Sequence, residues 1–235
     1  MRIQFVSDLH LECHPKTTFE TLLEPKAPVL ALLGDIAPVS NPNLRRFLEW
    51  CSERWETVLY VPGNMELFDA PDIDASLVAL KRVCAPYQNV HVLYRDVFYS
   101  SDGFVVLGCT FWSCIPNAPV QHRARHFADL NWLKEELRRY TNPALVLSYY
   151  GPTLWVQNED RVDDPAKTHI IPEIEIILRT PIVAWIFGHV HTYVEYWKVW
   201  SSADSVAHSV LLLANGLGEA AFPADYRNDA VVALS

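Results

Sequence analysis

The chain has 235 residues, half of them apolar and a fifth charged, which suits one large domain with a sizeable core and argues against long disorder. Its net charge of −9 speaks against binding nucleic acid or a membrane surface through a basic face, though not against a phosphorylated substrate, because bound cations would reverse the local field. No stretch approaches the roughly 20 apolar residues of a membrane span, the first residues read as a strand rather than a secretion signal, and five scattered cysteines without a Cys-x-x-Cys pair fit buried thiols in a reducing compartment, the cytoplasm.

Ile3 to Val6 reads as a buried strand, which ends in Asp8 and His10. Cys13 nearby reads as a small apolar filler, and His14 as a surface residue at the start of a loop with a short helix. Val29 to Leu33 is a second apolar run, closed by Gly34 and Asp35. Asn43 to Trp55 has helical spacing, with Leu44, Phe47, Leu48 and Cys51 on one face and Asn41 or Asn43 as cap. Val58 to Val61 is a third strand, followed by Gly63, Asn64, Met65 and Glu66. Pro71 to Tyr87 then reads as a helix. Strand and helix alternate to this point, which implies parallel pairing through crossovers.

The rhythm then changes. Val90–Leu93, Val97–Tyr99 and Phe104–Leu107 are short strands with short turns, which favours antiparallel pairing. His122 to Tyr140 has an apolar stripe of Phe127, Leu130, Leu133 and Leu137. Ala144 to Leu147 is a strand that runs into Ser148, Tyr149 and Tyr150. The acidic stretch from Leu154 to His169 reads as a solvated loop, and Ile171 to Leu178 as a short helix. Ile182 to Phe187 is a strand ending in Gly188, His189, Val190 and His191. Strands near Tyr193–Trp200 and Val206–Ala214 follow, then an irregular tail. No repeat or linker divides the chain, so a single domain over 1–235 is expected.

Asp8, His10, Asp35, Asn64, His189 and His191 all fall just beyond predicted strands. A parallel sheet brings such ends to one edge, where ligands gather in open α/β folds. Carboxylate, amide and imidazole donors together suit divalent transition metals. Two such ions about 3.5–4 Å apart would polarise a phosphoryl group and activate a water.

The ordered set Asp-x-His (Asp8, His10), Gly-Asp (Gly34, Asp35), Gly-Asn-x-Glu (Gly63, Asn64, Glu66) and Gly-His-x-His (Gly188, His189, His191) resembles the calcineurin-like metallophosphoesterase family, from Met1 to about Gly218. The resemblance implies an α/β fold: a two-sheet β-sandwich flanked by helices, in four layers α/β/β/α. It implies hydrolysis of a phosphomonoester or phosphodiester by metal-activated water. Asp8, His10, Asp35 and His191 would hold a first ion and Asp35 would bridge. Asn64 and His189 would contribute to a second. Asn64 and Glu66 would serve catalysis. The ions would be two divalent cations (Mn, Fe or Zn), or one if the site is incomplete.

Two positions depart from the pattern. Met65 stands where the family has a His that helps protonate the leaving group, which leaves Glu66 without its implied partner. General acid catalysis is worth about 10²–10⁴-fold, so a slow enzyme is expected. Tyr149 stands where the family places a ligand of the second ion, and a neutral phenol is a poor ligand, although a phenolate can bind ferric iron. Met65, Tyr149, Tyr150 and His126 are candidates to line the site.

Two readings follow. One is a metal-dependent phosphohydrolase with weakened or altered catalysis, acting on a phosphorylated small molecule, with no nucleic-acid or membrane partner. The other is a catalytically degenerate relative that serves as a binding or scaffold module with one metal or none.

Overall fold

The computed structural model describes residues 1–113, 120–152, 181–202, 205–219 and 225–235. Its first sheet has the order β11-β1-β2-β3-β4, built from β1 (Arg2–Val6), β2 (Val29–Leu33), β3 (Thr57–Val61), β4 (Val90–Val92) and β11 (Val231–Ala233). Strands β1 to β4 run parallel, and β11 pairs antiparallel with β1. The second sheet has the order β5-β6-β7-β8-β10-β9, from β5 (Asp96–Tyr99), β6 (Val105–Cys109), β7 (Ala144–Ser148), β8 (Ile182–Phe187), β9 (Tyr193–Ser202) and β10 (Ser205–Asn215). Within it β6, β7, β8 and β10 are parallel, and only the edge pairs β5–β6 and β9–β10 are antiparallel.

Side-chain alternation divides the core into three slabs. Ile3, Phe5, Ala31, Leu33, Leu59 and Val61 point at Val106, Leu145, Leu147, Ala184, Ile186, Leu211 and Leu213, which packs sheet on sheet. The opposite face of the first sheet, with Val6, Leu30, Leu32, Val58 and Tyr60, is covered by α2 (Pro42–Ser52) and α4 (Ile73–Cys84). The outer face of the second, with Val105, Leu107, Val146, Trp185, Val210 and Leu212, is covered by Leu130 and Leu133 of α5 (Val120–Leu137). These are the four layers implied by the sequence resemblance.

Local chemistry sets the element ends. Asn41 caps α2 by accepting from the Asn43 amide at 2.9 Å, with Pro42 in the first turn. Asp72 caps α4 through the Ala75 amide at 2.7 Å. A four-residue α1 (Phe19–Leu22) sits in the loop after β1.

Several expectations are corrected. β4 joins the first sheet in parallel with β3, because α4 supplies the crossover that such pairing needs. The chain then passes to the other sheet through Arg95, at φ 52°. Phe127 is 49% exposed and off the helix stripe, which includes the polar residues His126, Asp129 and Glu136 instead. Cys13 is exposed, unlike Cys51, Cys84 and Cys109. Two elements are additional: the helix α3 (Asn64–Leu67) and the strand β11 in the expected irregular tail. The acidic loop of Leu154 to His169 and the helix of Ile171 to Leu178 lie outside the described residues. No described helix is long and apolar enough to cross a membrane.

Candidate metal centre

The parallel strands of both sheets deliver their C-terminal ends to one place. Asp8 and His10 follow β1, Asp35 follows β2, and Asn64 opens α3 after β3. Tyr149 and Tyr150 follow β7, and His189 and His191 follow β8. The two sheets are joined here by a parallel bridge between Ser7 and Gly216, and the Gly218 amide donates to the Asp8 carbonyl at 2.8 Å. Asp8, His10, Asp35 and His189 all have positive φ, between 41° and 67°, a conformation that non-glycine residues rarely adopt outside sites that require it. The sharp turns aim side chains back across the strand ends.

Asp8, His10 and His191 offer ligand atoms that all lie within 4.8 Å of one another. Asp8 Oδ2 accepts from the His189 amide at 2.9 Å, while Asp8 Oδ1 faces His191 Nε2 at 3.6 Å. Asp8 Oδ1 and His10 Nε2 are buried and have no hydrogen-bond partner among the described residues. Buried polar atoms without partners are costly, so two of them converging on a third ligand mark a place built for something else. Carboxylate oxygen with two imidazole nitrogens suits Zn, Mn or Fe. Glu12 accepts from His10 Nδ1 at 3.0 Å, which fixes the ring with Nε2 toward the centre, as partners of metal-ligating histidines do. Burial works against protonation of His10, but the Glu12 hydrogen bond and the charges of Asp8 and Glu12 raise its pKa overall. The facing Asp8 carboxylate raises that of His191 against the effect of burial. Gly218, at φ 87°, leaves room for His191, whose ring a Cβ there would meet at 2.9 Å.

The other half of the site is arranged differently. Asp35 Oδ1 accepts from the Met65 amide at 2.9 Å, and Asp35 Oδ2 accepts from the Tyr149 hydroxyl at 2.5 Å. The same hydroxyl lies 3.1 Å from His189 Nδ1. Tyr150 donates to Asn64 Oδ1 at 3.2 Å. Burial, then the nearby Glu66 and Asp8 charges, raises the Asp35 pKa well above the carboxylate range. Burial and the charges of Asp8 and Asp35 hold the Tyr149 phenol well above its ordinary value, so it is a neutral donor.

Glu66 has other partners in place of the missing imidazole. Its carboxylate accepts from the amides of Asp35 (3.0 Å), Ile36 (2.8 Å) and Gly63 (2.8 Å) and from the Tyr60 hydroxyl (2.8 Å). Burial lifts its pKa, while the four donors pull it down. Glu66 thus ties the turn after β2 to the turn after β3. Met65 is half-buried beside it, and its backbone amide rather than its side chain holds Asp35.

His126 is buried beneath the second sheet's edge, with Nδ1 2.5 Å from the Trp112 carbonyl and its ring against Phe111. It supports the turn after β6. The histidine that reaches Tyr150 is His122, one helical turn earlier. Its ring packs edge-on against Trp112 and Tyr150, at 5.1 and 5.8 Å between centroids, and its Nε2 lies 2.7 Å from Ser113 Oγ. Burial and the neighbouring Arg125 lower its pKa. The four-residue spacing of the two histidines put both near one helix face, but only packing decides which one is nearer the centre.

Candidate metal ligands at the strand ends, on a sandwich of two mixed sheets between helices, place the chain in the class of two-sheet α/β folds. The chain belongs to the calcineurin-like phosphoesterase family, whose sequence model matches residues 1–193. The uncharacterized protein L509 of Acanthamoeba polyphaga mimivirus is 26% identical over 240 residues, covering 81% of this chain and 85% of that protein. TT1561 of Thermus thermophilus has the same fold, with a TM-score of 0.56 at 17% identity over 92% of this chain and 88% of that one. Another solved structure superposes with a TM-score of 0.58 at 16% identity, over 92% and 90%. Membership implies metal-dependent phosphoester hydrolysis in general.

Proposed function

We propose that this protein is a slow metal-dependent phosphohydrolase, acting on a phosphomonoester or phosphodiester of a small molecule. The observation that carries this reading is the pair of buried, unpartnered atoms Asp8 Oδ1 and His10 Nε2 converging with His191. A divalent ion bound there would supply the charge that polarises a phosphoryl oxygen and makes a water acidic near neutral pH. The chain's own residues do the rest. Glu12 holds His10 in register, and the His189 amide holds the Asp8 carboxylate. The Asn64 side-chain amide, at the start of α3, would orient the substrate phosphate. Met65 cannot donate a proton to the leaving group, so a substrate with a good leaving group is favoured over an alkyl ester.

The test is hydrolysis of bis-p-nitrophenyl phosphate and p-nitrophenyl phosphate by protein loaded with manganese. Metal-stimulated turnover that Asp8→Asn lowers by at least about tenfold supports the reading, since loss of one ligand strips both charge and geometry from the centre. No turnover of either ester by protein shown to hold manganese would favour a binding module instead. The tyrosine contacts to Asp35 and Asn64 are the observation on that side.

A further inference from the structure

The two halves of the centre differ in one physical respect. On the Asp8 side, the buried Asp8 Oδ1 and His10 Nε2 have no hydrogen-bond partner among the described residues. On the Asp35 side, both carboxylate oxygens are paired, by the Met65 amide and the Tyr149 hydroxyl, and Asn64 Oδ1 is paired by the Tyr150 hydroxyl. We propose that the hydroxyls of Tyr149 and Tyr150 take the place of a second ion, so that this chain holds a single divalent cation, at Asp8, His10 and His191. This rests on reading the Asp8 side as a metal site.

Space and charge both support the substitution. An ion shared by Asp35 and His189 would lie about 2.0–2.2 Å from each ligand atom. The Tyr149 oxygen already stands 2.5 Å from Asp35 Oδ2 and 3.1 Å from His189 Nδ1, so it occupies the same gap. The ring is tightly packed where it stands. It is 1% exposed, and its Cδ2 lies so close behind Gly34 that a Cβ at that glycine would collide with it and with the Gly63 backbone. Tyr150 closes the other side, with its ring 4.8 Å from that of Tyr149 and 4.6 Å from that of His189. The hydroxyl gives Asp35 a donor without adding positive charge. A phosphate group entering the site therefore meets the field of one cation, and binds less tightly than at a two-ion centre.

The stoichiometry of bound manganese decides the matter, read by elemental analysis after gel filtration and by electron paramagnetic resonance. The wild-type chain is expected to hold one ion with an uncoupled spectrum. Tyr149→His is expected to hold two, with the spin coupling of neighbouring ions. Two ions in the wild type would overturn the proposal, as would a Tyr149→His variant that stays at one. No bound ion in either protein would overturn the metal reading itself, a distinct outcome. If Tyr149→His melts at room temperature, Tyr149→Phe takes its place. Phe keeps the ring and removes the oxygen, so a second, weaker ion is expected, and its absence would overturn the proposal.

Discussion

Met65 and Asp129 show how one residue's environment sets its contribution. Met65 supplies a backbone amide to Asp35 and has no side-chain proton to give, whereas Met65→His supplies an imidazole at that position of α3. Met65→His is expected to raise kcat by about 10²-fold, the low end of general acid catalysis, because Glu66 is already saturated and cannot orient the ring. An unchanged kcat at equal metal content would show that proton donation does not limit the rate. Asp129 lies under the turn at Trp112, with Arg95 Nε 3.4 Å from Oδ1. Burial raises its carboxyl to about 6, with Arg95 and the Trp112 amide pulling the other way. In the unfolded chain an Asp titrates near 3.9. Between about pH 4 and pH 6 the native state therefore holds a proton that the unfolded state releases. Stability should fall as pH rises through that window and level off above it, by about 3 kcal/mol at most. Asp129→Asn should flatten that part of a urea-denaturation pH profile, and an unaltered slope would place the proton elsewhere.

At the scale of elements, a four-residue helix does more than its length suggests. α3 is too short to be stable alone, yet it carries Asn64, Met65 and Glu66 and leads the chain from β3 into the site. Its anchor is the Glu66 carboxylate, which joins the turns after β2 and β3 through three amides and the Tyr60 hydroxyl. Glu66→Gln turns an amide N–H₂ toward backbone donors, so at least one buried N–H loses its acceptor. A loss of about 3 kcal/mol in chemical denaturation is expected. A stability change under about 0.5 kcal/mol would mean that the turns hold without it. α5 makes a complementary point. Its first turns bury His126 and Asp129 rather than a purely apolar stripe, because they cover the irregular backbone of Phe111 and Trp112, whose polar groups need partners.

Across the whole molecule, the centre depends on how the two sheets are held together at their strand ends. Asn215 is the joint. It is fully buried at the end of β10, its carbonyl accepts from the Ser7 amide, and its side chain donates to the carbonyls of Phe5 and Arg227 and accepts from the Arg227 amide. It thereby links β1, β10 and the segment leading to β11. Asn215→Ala is expected to cost about 3 kcal/mol, as buried backbone groups lose their partners. It should also weaken manganese binding, because Asp8 lies one residue past the joint. Denaturation and metal titration on the same variant would check both, and normal metal affinity at reduced stability would separate the joint from the centre.

Much of the fold was legible because the relevant signals are local. Mostly apolar runs of four to six residues, each followed by a glycine or polar turn, marked β1, β2, β3, β7 and β8 and the turns that follow them. Asn41 and Pro42 marked the start of α2. Other features have no local signal. β11 is only three residues long and is stabilised by pairing with β1 more than two hundred residues away. β4 looked like part of a meander because its short connection to β5 resembles a hairpin turn. His122 and His126 cannot be told apart by sequence spacing. The order of residues was enough to show which side chains stand at the strand ends, that those on the Asp8 side suit a metal, and that Met65 and Tyr149 break the pattern. What those breaks do follows from folding. Packing gave Glu66 four new partners and put the Tyr149 oxygen between Asp35 and His189. Those contacts include pairs 31 and 114 positions apart: the first depends on the pairing of β2 with β3, the second on how the two sheets pack.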